Sequence, residues 1–369
     1  MANHLPVRPG RDYRSPMRAA AVVVACLVGA AACASPPPPD PPPPPPAARV
    51  TVDGRGLILD GKPWWPTGLN AYQLASDWDV NGGCGAQVDL DAYFSSLPPS
   101  SLTRFNAFQA LALNRVTGTL DFAAIDAVFA AAERHGQLVM PVLSPQDGAC
   151  GNELYKDRAW YEHGWTTRRA PFAVSYRDWV RLAVDRWRVS PALAAWDLLG
   201  EPEPGVCGDA ACSLPRRSCP PDSAQLLRAW TDAVGRIVRE TDPRHPITLG
   251  LIGGDQCGSA GDGYAQLARS PYVDVLQYHD YDEAAWLPVR LGQVTKPILV
   301  AELGIEAGSC LPLPERAERV DAALTGYRET GAAGALLWAF VPDPRGGECT
   351  YDIGPGDPAF DVLARHGSY

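Results

Sequence analysis

A chain of 369 residues with a formal net charge of −10 and a pI near 5.1 is a poor partner for nucleic acid or for an anionic membrane surface. Setting aside an atypical N-terminal stretch leaves about 320 residues, enough for one large α/β domain that buries its own core without metals or partners. Eleven tryptophans and thirteen tyrosines supply flat faces that suit sugar rings, although core packing alone consumes many aromatics.

In chain order, Arg14 and Arg18 precede an uncharged run over residues 19–32 that meets Cys33. A basic start, a short apolar stretch and small residues before a cut site describe a secretory signal over residues 1–33. The run falls short of the ~20 residues that span a bilayer. Ala30-Ala31-Ala32-Cys33 resembles a bacterial lipobox, with Ala30 where leucine is usual, and makes Cys33 a candidate lipidation site. Ordinary cleavage at Ala32-Cys33-Ala34 is the alternative. Residues 34–48 hold the proline block 36–46, interrupted only by Asp40. Polyproline II rises roughly 3.1 Å per residue, so this linker can hold a domain on the order of 35 Å from its anchor.

From residue 49 to 369 short apolar runs alternate with amphipathic helical stretches, the pattern of repeated βα units. Residues 50–59 read as a small N-terminal β-hairpin. Strands are expected at 66–69, 102–105, 137–143, 194–199, 247–251, 273–278, 298–301 and 335–340, and helices include 122–135, 176–189, 224–240 and 315–330. Eight strands with intervening helices predict an α/β fold closed as a (β/α)8 TIM barrel rather than an open sheet. Ile298-Leu299-Val300-Ala301 and Ala335-Leu336-Leu337-Trp338 have the apolar character of strands buried on both faces.

Apart from Cys26 and Cys33, the cysteines are Cys84, Cys150, Cys207, Cys212, Cys219, Cys257, Cys310 and Cys349. An even number in an exported chain implies a disulfide framework, with about a hundred possible pairings. Zinc is the rival reading; the absence of a C-x2-C pair, and of a histidine near Cys207, Cys212 and Cys219, argues against a metal. Every one of these cysteines follows a predicted strand, which puts them on the face where barrel enzymes keep their active sites. The long segments 70–101, 144–172 and 200–223 belong to the same face, and long loops tend to be functional.

Two carboxylates close apolar strands there. Trp196-Asp197-Leu198-Leu199-Gly200-Glu201 ends the fourth strand, and Ile298-Leu299-Val300-Ala301-Glu302 ends the seventh. A carboxylate at the end of such a strand is costly to bury and is seldom there for packing. Glycoside hydrolysis needs two carboxyl groups across the scissile bond, one protonated and one charged.

In this order, Glu201-Pro202, Tyr278-His279-Asp280-Tyr281, Glu302-Leu303-Gly304 and Trp338 make the chain resemble glycoside hydrolase family 5, the cellulase and β-mannanase family, over nearly the whole barrel. The resemblance implies a retaining hydrolase of a β-linked polysaccharide or oligosaccharide, such as β-mannan or β-glucan. Glu201 would be the acid/base and Glu302 the nucleophile, with their carboxyl groups about 5–5.5 Å apart. Tyr281 would hydrogen-bond Glu302, His279 would line the sugar site, Arg104 would support the nucleophile and Trp338 would lie under the sugar. Residues 120–136 are similar to the β-mannanase branch. Each supporting residue also has a plainer reading: a surface ion pair for Arg104, a structural histidine for His279, packing for Tyr281 and Trp338. Trp64, Trp65, Trp78, Trp160 and Trp165 are candidates for further sugar subsites.

Gly200 departs from the family, which carries asparagine before the acid/base to bind the sugar 2-hydroxyl; Asn106 and Gln146 are the substitutes to consider. A non-catalytic glycan-binding lipoprotein on a degenerate barrel is the competing reading. No cofactor is needed for this chemistry. The expected protein is a monomer that meets carbohydrate as substrate, binds no nucleic acid, and touches the membrane only through Cys33. It is exported and faces outward, and its activity is bell-shaped in pH with an optimum on the acid side of neutral.

Overall fold

A computed structural model describes residues 49–148, 150, 155–209, 212–281 and 286–367. The expected signal segment, Cys33 and the proline linker lie outside the described residues. Eight parallel strands close into a barrel: β1 (Thr67–Asn70), β2 (Leu102–Asn106), β3 (Leu138–Val142), β4 (Trp196–Gly200), β5 (Ile247–Gly250), β6 (Val275–Asp280), β7 (Ile298–Gly304) and β8 (Ala335–Trp338). Each pairs with the next, and β8 returns to β1 through Ala335 opposite Thr67 and Leu337 opposite Leu69. A helix follows each strand: α1 (Leu90–Ser96), α2 (Ala123–Arg134), α3 (Tyr176–Trp187), α4 (Ser223–Thr241), α5 (Asp262–Ala268), α6 (Leu287–Gln293), α7 (Leu313–Thr330) and α8 (Ala359–His366). The fold is the expected (β/α)8 barrel.

The strands match the apolar runs because both of their faces are covered. Every residue of β3, β6 and β7 is buried. The α3 helix begins at Ser175, whose hydroxyl accepts from the Asp178 amide, a cap that satisfies one of the free donors of the first turn. Its inner face sets Trp179 and Trp187 against Phe122 and Phe129 of the neighbouring α2 region. The α7 helix stops at Gly331, whose φ of 95° is the left-handed conformation that ends helices cheaply.

The N-terminal hairpin is present as Val50–Asp53 against Gly56–Leu59, and the structure adds a third antiparallel strand, Lys62–Trp64. Pro63 gives no ladder amide, which suits an edge strand and obscures it in the sequence. Val50, Leu57, Leu59 and Trp64 form one buried cluster with Leu102, Leu138, Val275, Leu299 and Leu336, so this sheet plugs the N-terminal end of the barrel.

All four disulfides among the described residues lie at the C-terminal end. Cys84–Cys150, Cys219–Cys257 and Cys310–Cys349 each join two different βα segments, and Cys207–Cys212 closes a loop within the β4–α4 segment. The one-face bias read from the sequence is therefore real. The segments 70–101 and 144–172 are less irregular than expected: the first contains α1 and the second a short helix at Arg158–Glu162.

Candidate active site

The mouth of the barrel holds a cleft of about 710 Å³ lined by Arg104, Asp147, Gly200, Glu201, Tyr281, Glu302 and Trp338, among others. Its floor is built around Arg104 on β2. Arg104 Nε donates to Asp197 Oδ2 at 2.8 Å, and Nη1 donates to Asn70 Oδ1 at 3.0 Å and to Glu302 Oε1 at 2.5 Å. Burial alone would make this guanidinium easier to deprotonate, but Asp197 and Glu302 outweigh it and hold the charge more firmly than usual. Asn70 Nδ2 donates to the carbonyls of Ala301 and Leu337, which pins the base of the site to β7 and β8.

Glu302 is almost wholly buried. Besides Arg104 it accepts from the Tyr281 hydroxyl on Oε2, and His279 Nδ1 lies 3.5 Å from Oε1. Burial first, then the Glu302 charge, raises Tyr281 well above the usual phenol range, so it stays a donor. Gly304 explains the third member of the Glu302-Leu303-Gly304 motif: a Cβ there would sit 2.4 Å from the Tyr281 ring. Glycine is what lets Tyr281 lie flat enough to reach Glu302.

Glu201 follows β4 with a φ of 56°, a left-handed conformation that costs a non-glycine residue on the order of 1 kcal/mol and is typical of functional sites. Its amide donates to Gly250 O at 2.7 Å, and its carbonyl accepts from Gln256 Nε2 at 2.8 Å. These two bonds fix the strained backbone and aim the side chain into the cleft. Glu201 Oε1 is 2.8 Å from His279 Nδ1. The side chain is 41% exposed to the cleft, yet it stands deep in the barrel mouth. Burial raises its pKa above the ordinary glutamate range; Arg104 opposes this and Asp147 adds to it. Glu203, its neighbour in sequence, is instead paired with Arg217 at 3.2 Å.

Oxygens of Glu201 and Glu302 and a ring nitrogen of His279 all lie within 4.8 Å of one another. Such closeness matches the carboxyl separation of retaining glycosidases, about 5–5.5 Å, and is too short for the roughly 6.5–9.5 Å that inverting enzymes need for an intervening water. Trp338 closes the cleft with its ring stacked on Tyr72, centroids 5.7 Å apart and planes at 14°.

No family model matches the sequence. The chain is 28% identical over 268 residues to a probable mannan endo-1,4-beta-mannosidase C of Aspergillus terreus, covering 63% of this chain and 64% of that protein. Against a putative mannan endo-1,4-beta-mannosidase P of Arabidopsis thaliana it is 23% identical over 359 residues, covering 80% and 83%. The crystal structure of the endo-1,4-beta-mannanase from Rhizomucor miehei superposes with a TM-score of 0.63 at 15% identity, over 87% of this chain and 98% of that one. The likeness to glycoside hydrolase family 5 is one of sequence and of fold together. The chain spans just under two thirds of the Aspergillus terreus protein and about half (52%) of an Aspergillus flavus one.

All six residues that the family resemblance singled out, Arg104, Glu201, His279, Tyr281, Glu302 and Trp338, lie at or beneath this one cleft. The tryptophan candidates fare otherwise. Trp160 is buried against Tyr161, Tyr176 and Trp230, Trp64 sits in the plug, and Trp65 donates to Ala332 O beneath Arg328. Trp165 packs partly buried against the core, and Trp78 alone of the five is largely exposed, at 60%. Gln146 cannot replace the family asparagine, because its amide is spent on Lys156 O, Glu203 O, the Glu203 amide and the Tyr161 hydroxyl. Asn106 lines the cleft, and among the described residues its Nδ2 donates to the Cys150 sulfur at 3.3 Å. Asn70, Asp197, Gln256 and Gln277 are parts of the site that sequence reasoning missed. Asp197 did leave a signal, a carboxylate in the middle of an apolar strand.

Proposed function

We propose that the protein is a retaining glycoside hydrolase that cleaves within β-1,4-mannan. The observation that carries this reading is the close pair Glu201 and Glu302, on the ends of β4 and β7 and bridged by His279. Glu201 gives its proton to the glycosidic oxygen while Glu302 Oε attacks C1 and the C1–O bond breaks. In the second half Glu201, now a carboxylate, takes a proton from water, whose oxygen displaces Glu302 with overall retention. Arg104 and Tyr281 hold Glu302 in line, and Trp338 with Tyr72 offers an aromatic wall to the sugar. The mannan preference is taken from the named relatives.

Four disulfides fit an oxidising compartment. The reading includes export and a lipid on Cys33, which palmitate labelling lost in Cys33→Ala checks; labelling that survives the substitution refutes the anchor.

The activity test is product release from β-mannan, β-glucan and xylan. Oligosaccharides from β-mannan with β-configured new ends are expected. A protein that binds mannan without cleaving it would be a binding module instead. The same panel reads Gly200→Asn. A Cβ on Gly200 meets nothing closer than Arg104 Nη2 at 3.4 Å, and its φ is not left-handed, so the variant should fold. A restored amide is expected to raise kcat/KM on mannan about tenfold, a fraction of the several kcal/mol that 2-hydroxyl contacts supply. No gain would mean that the substrate at this position is held in another way.

A further inference from the structure

A buried hydrogen-bond relay runs from Asp197 to Glu201, and its donors and acceptors can be assigned from one end. Asp197 is fully buried against the Arg104 guanidinium, and its Oδ2 accepts from Arg104 Nε at 2.8 Å and from Gln277 Nε2 at 2.9 Å. Gln277 Nε2 also donates to Thr248 Oγ1 at 3.2 Å. Turning the amide over would set Gln277 Oε1 against Asp197 Oδ2, acceptor facing acceptor inside the barrel. Gln277 Oε1 therefore faces His279 Nε2, 3.3 Å away. An amide oxygen only accepts, so the imidazole hydrogen sits on Nε2.

His279 is buried, and burial pushes its pKa down to about 4 although Glu302 pulls it upward. A neutral ring with hydrogen on Nε2 turns a bare lone pair on Nδ1 toward Glu201 Oε1 at 2.8 Å. A lone pair and an ionised carboxylate oxygen repel at that distance. A proton must lie between them, and the carboxyl of Glu201 supplies it.

We propose that Gln277 is a positioning residue: it fixes His279 in the Nε2–H form and thereby keeps the proton of the acid on Glu201 until substrate arrives. This rests on the assignment of Glu201 as the acid. In the opposite tautomer Nδ1–H would donate to Glu201, favour its ionised form and disarm the first step. When the glycosidic oxygen enters, the part-exposed Glu201 carboxyl turns its proton from Nδ1 to that oxygen. After the leaving group departs, the same lone pair disfavours the bare carboxylate, which strengthens Glu201 as the base that takes a proton from water. Arg104 and Asp147 also act on Glu201, Glu302 and Tyr281 face it, and Arg104, Asp197 and Glu302 act on His279. Gln277→Met leaves all of these charged groups in place; it takes one donor from Asp197, whose Oδ2 keeps Arg104 Nε.

The first measurement is the nitrogen–proton correlation spectrum of the histidines in the unmodified protein, with His279 assigned by substitution. A His279 signal with hydrogen on Nε2 and an unprotonated Nδ1 is expected, and hydrogen on Nδ1 overturns the proposal even if Gln277→Met does not fold. The second is Gln277→Met, which keeps the side-chain length and removes the acceptor. The alkaline limb of kcat/KM should move down by about one pH unit, about 1.4 kcal/mol on the acid. Mannosides with poor leaving groups should be cleaved about tenfold more slowly. Dinitrophenyl mannosides, which need no acid, should change by less than about twofold. Equal losses on both substrates with an unmoved limb would make Gln277 a structural residue and sink the idea. A wild-type protein that cleaves neither substrate refutes the hydrolase reading instead, and the spectrum still decides the tautomer.

Discussion

Glu302→Ala should lower mannan hydrolysis by on the order of 10⁵-fold, the scale on which loss of a covalent nucleophile is felt. The variant should remain folded. Without Glu302, Arg104 keeps Asp197 and Asn70 as partners, so no buried charge is left alone. Glu201→Ala should cost less, about 10²–10⁴-fold on poor leaving groups. Azide separates the two roles. In Glu201→Ala the covalent intermediate still forms, and azide attacking it gives a β-glycosyl azide. In Glu302→Ala azide takes the place of the missing carboxylate and attacks the substrate directly, giving the α product. Product configuration is read by proton NMR. The same configuration from both variants, or the two reversed, would mean that the carboxylates have been assigned wrongly.

The barrel was legible because its strands are buried on both faces and so appear as unbroken apolar runs; β7 carries Ile298 to Gly304 without one exposed residue. Glu201 and Glu302 stood out for the same reason, as charges ending such runs. The Asp197–Gln277–His279 relay was not legible. Its members come from β4 and β6, and only barrel closure brings the Gln277 amide to a carboxylate 80 residues earlier. Asn70 likewise reaches Ala301, 231 residues on. Gln277 and His279, two residues apart, share one face of β6, but nothing local in the sequence says that this face points to the axis. Tryptophans misled for a complementary reason: in the strand-following segments a ring that packs on the core, as Trp160 does, has the same sequence context as one that meets a sugar.

Acid should destabilise the protein in two stages, and His279 sets the first. Its pKa falls from an ordinary 6.5 to about 4 in the folded state, chiefly through burial. Between these values the unfolded chain binds a proton that the folded one refuses. The contribution to stability is therefore complete above pH 6.5 and is lost as pH falls toward 4. The difference amounts to about 3 kcal/mol, at roughly 1.36 kcal/mol per unit. Asp242 acts lower down. Burial would raise it, but His245 and Trp196 more than compensate and bring it to about 2, so its share is kept above the ordinary 3.8 and lost only below that. Urea midpoints measured from about pH 7 to about pH 3 should decline first across the histidine window, then again below it. His279→Gln should flatten the first decline and spare the second. A wild-type slope that survives in this variant would place the missing proton elsewhere. The outcome bears on catalysis as well, because a protonated His279 has no lone pair to hold the Glu201 proton. Stability should thus fall from pH 6.5 toward 4, and the armed acid be lost only as pH passes below about 4, where the folded His279 takes up its proton.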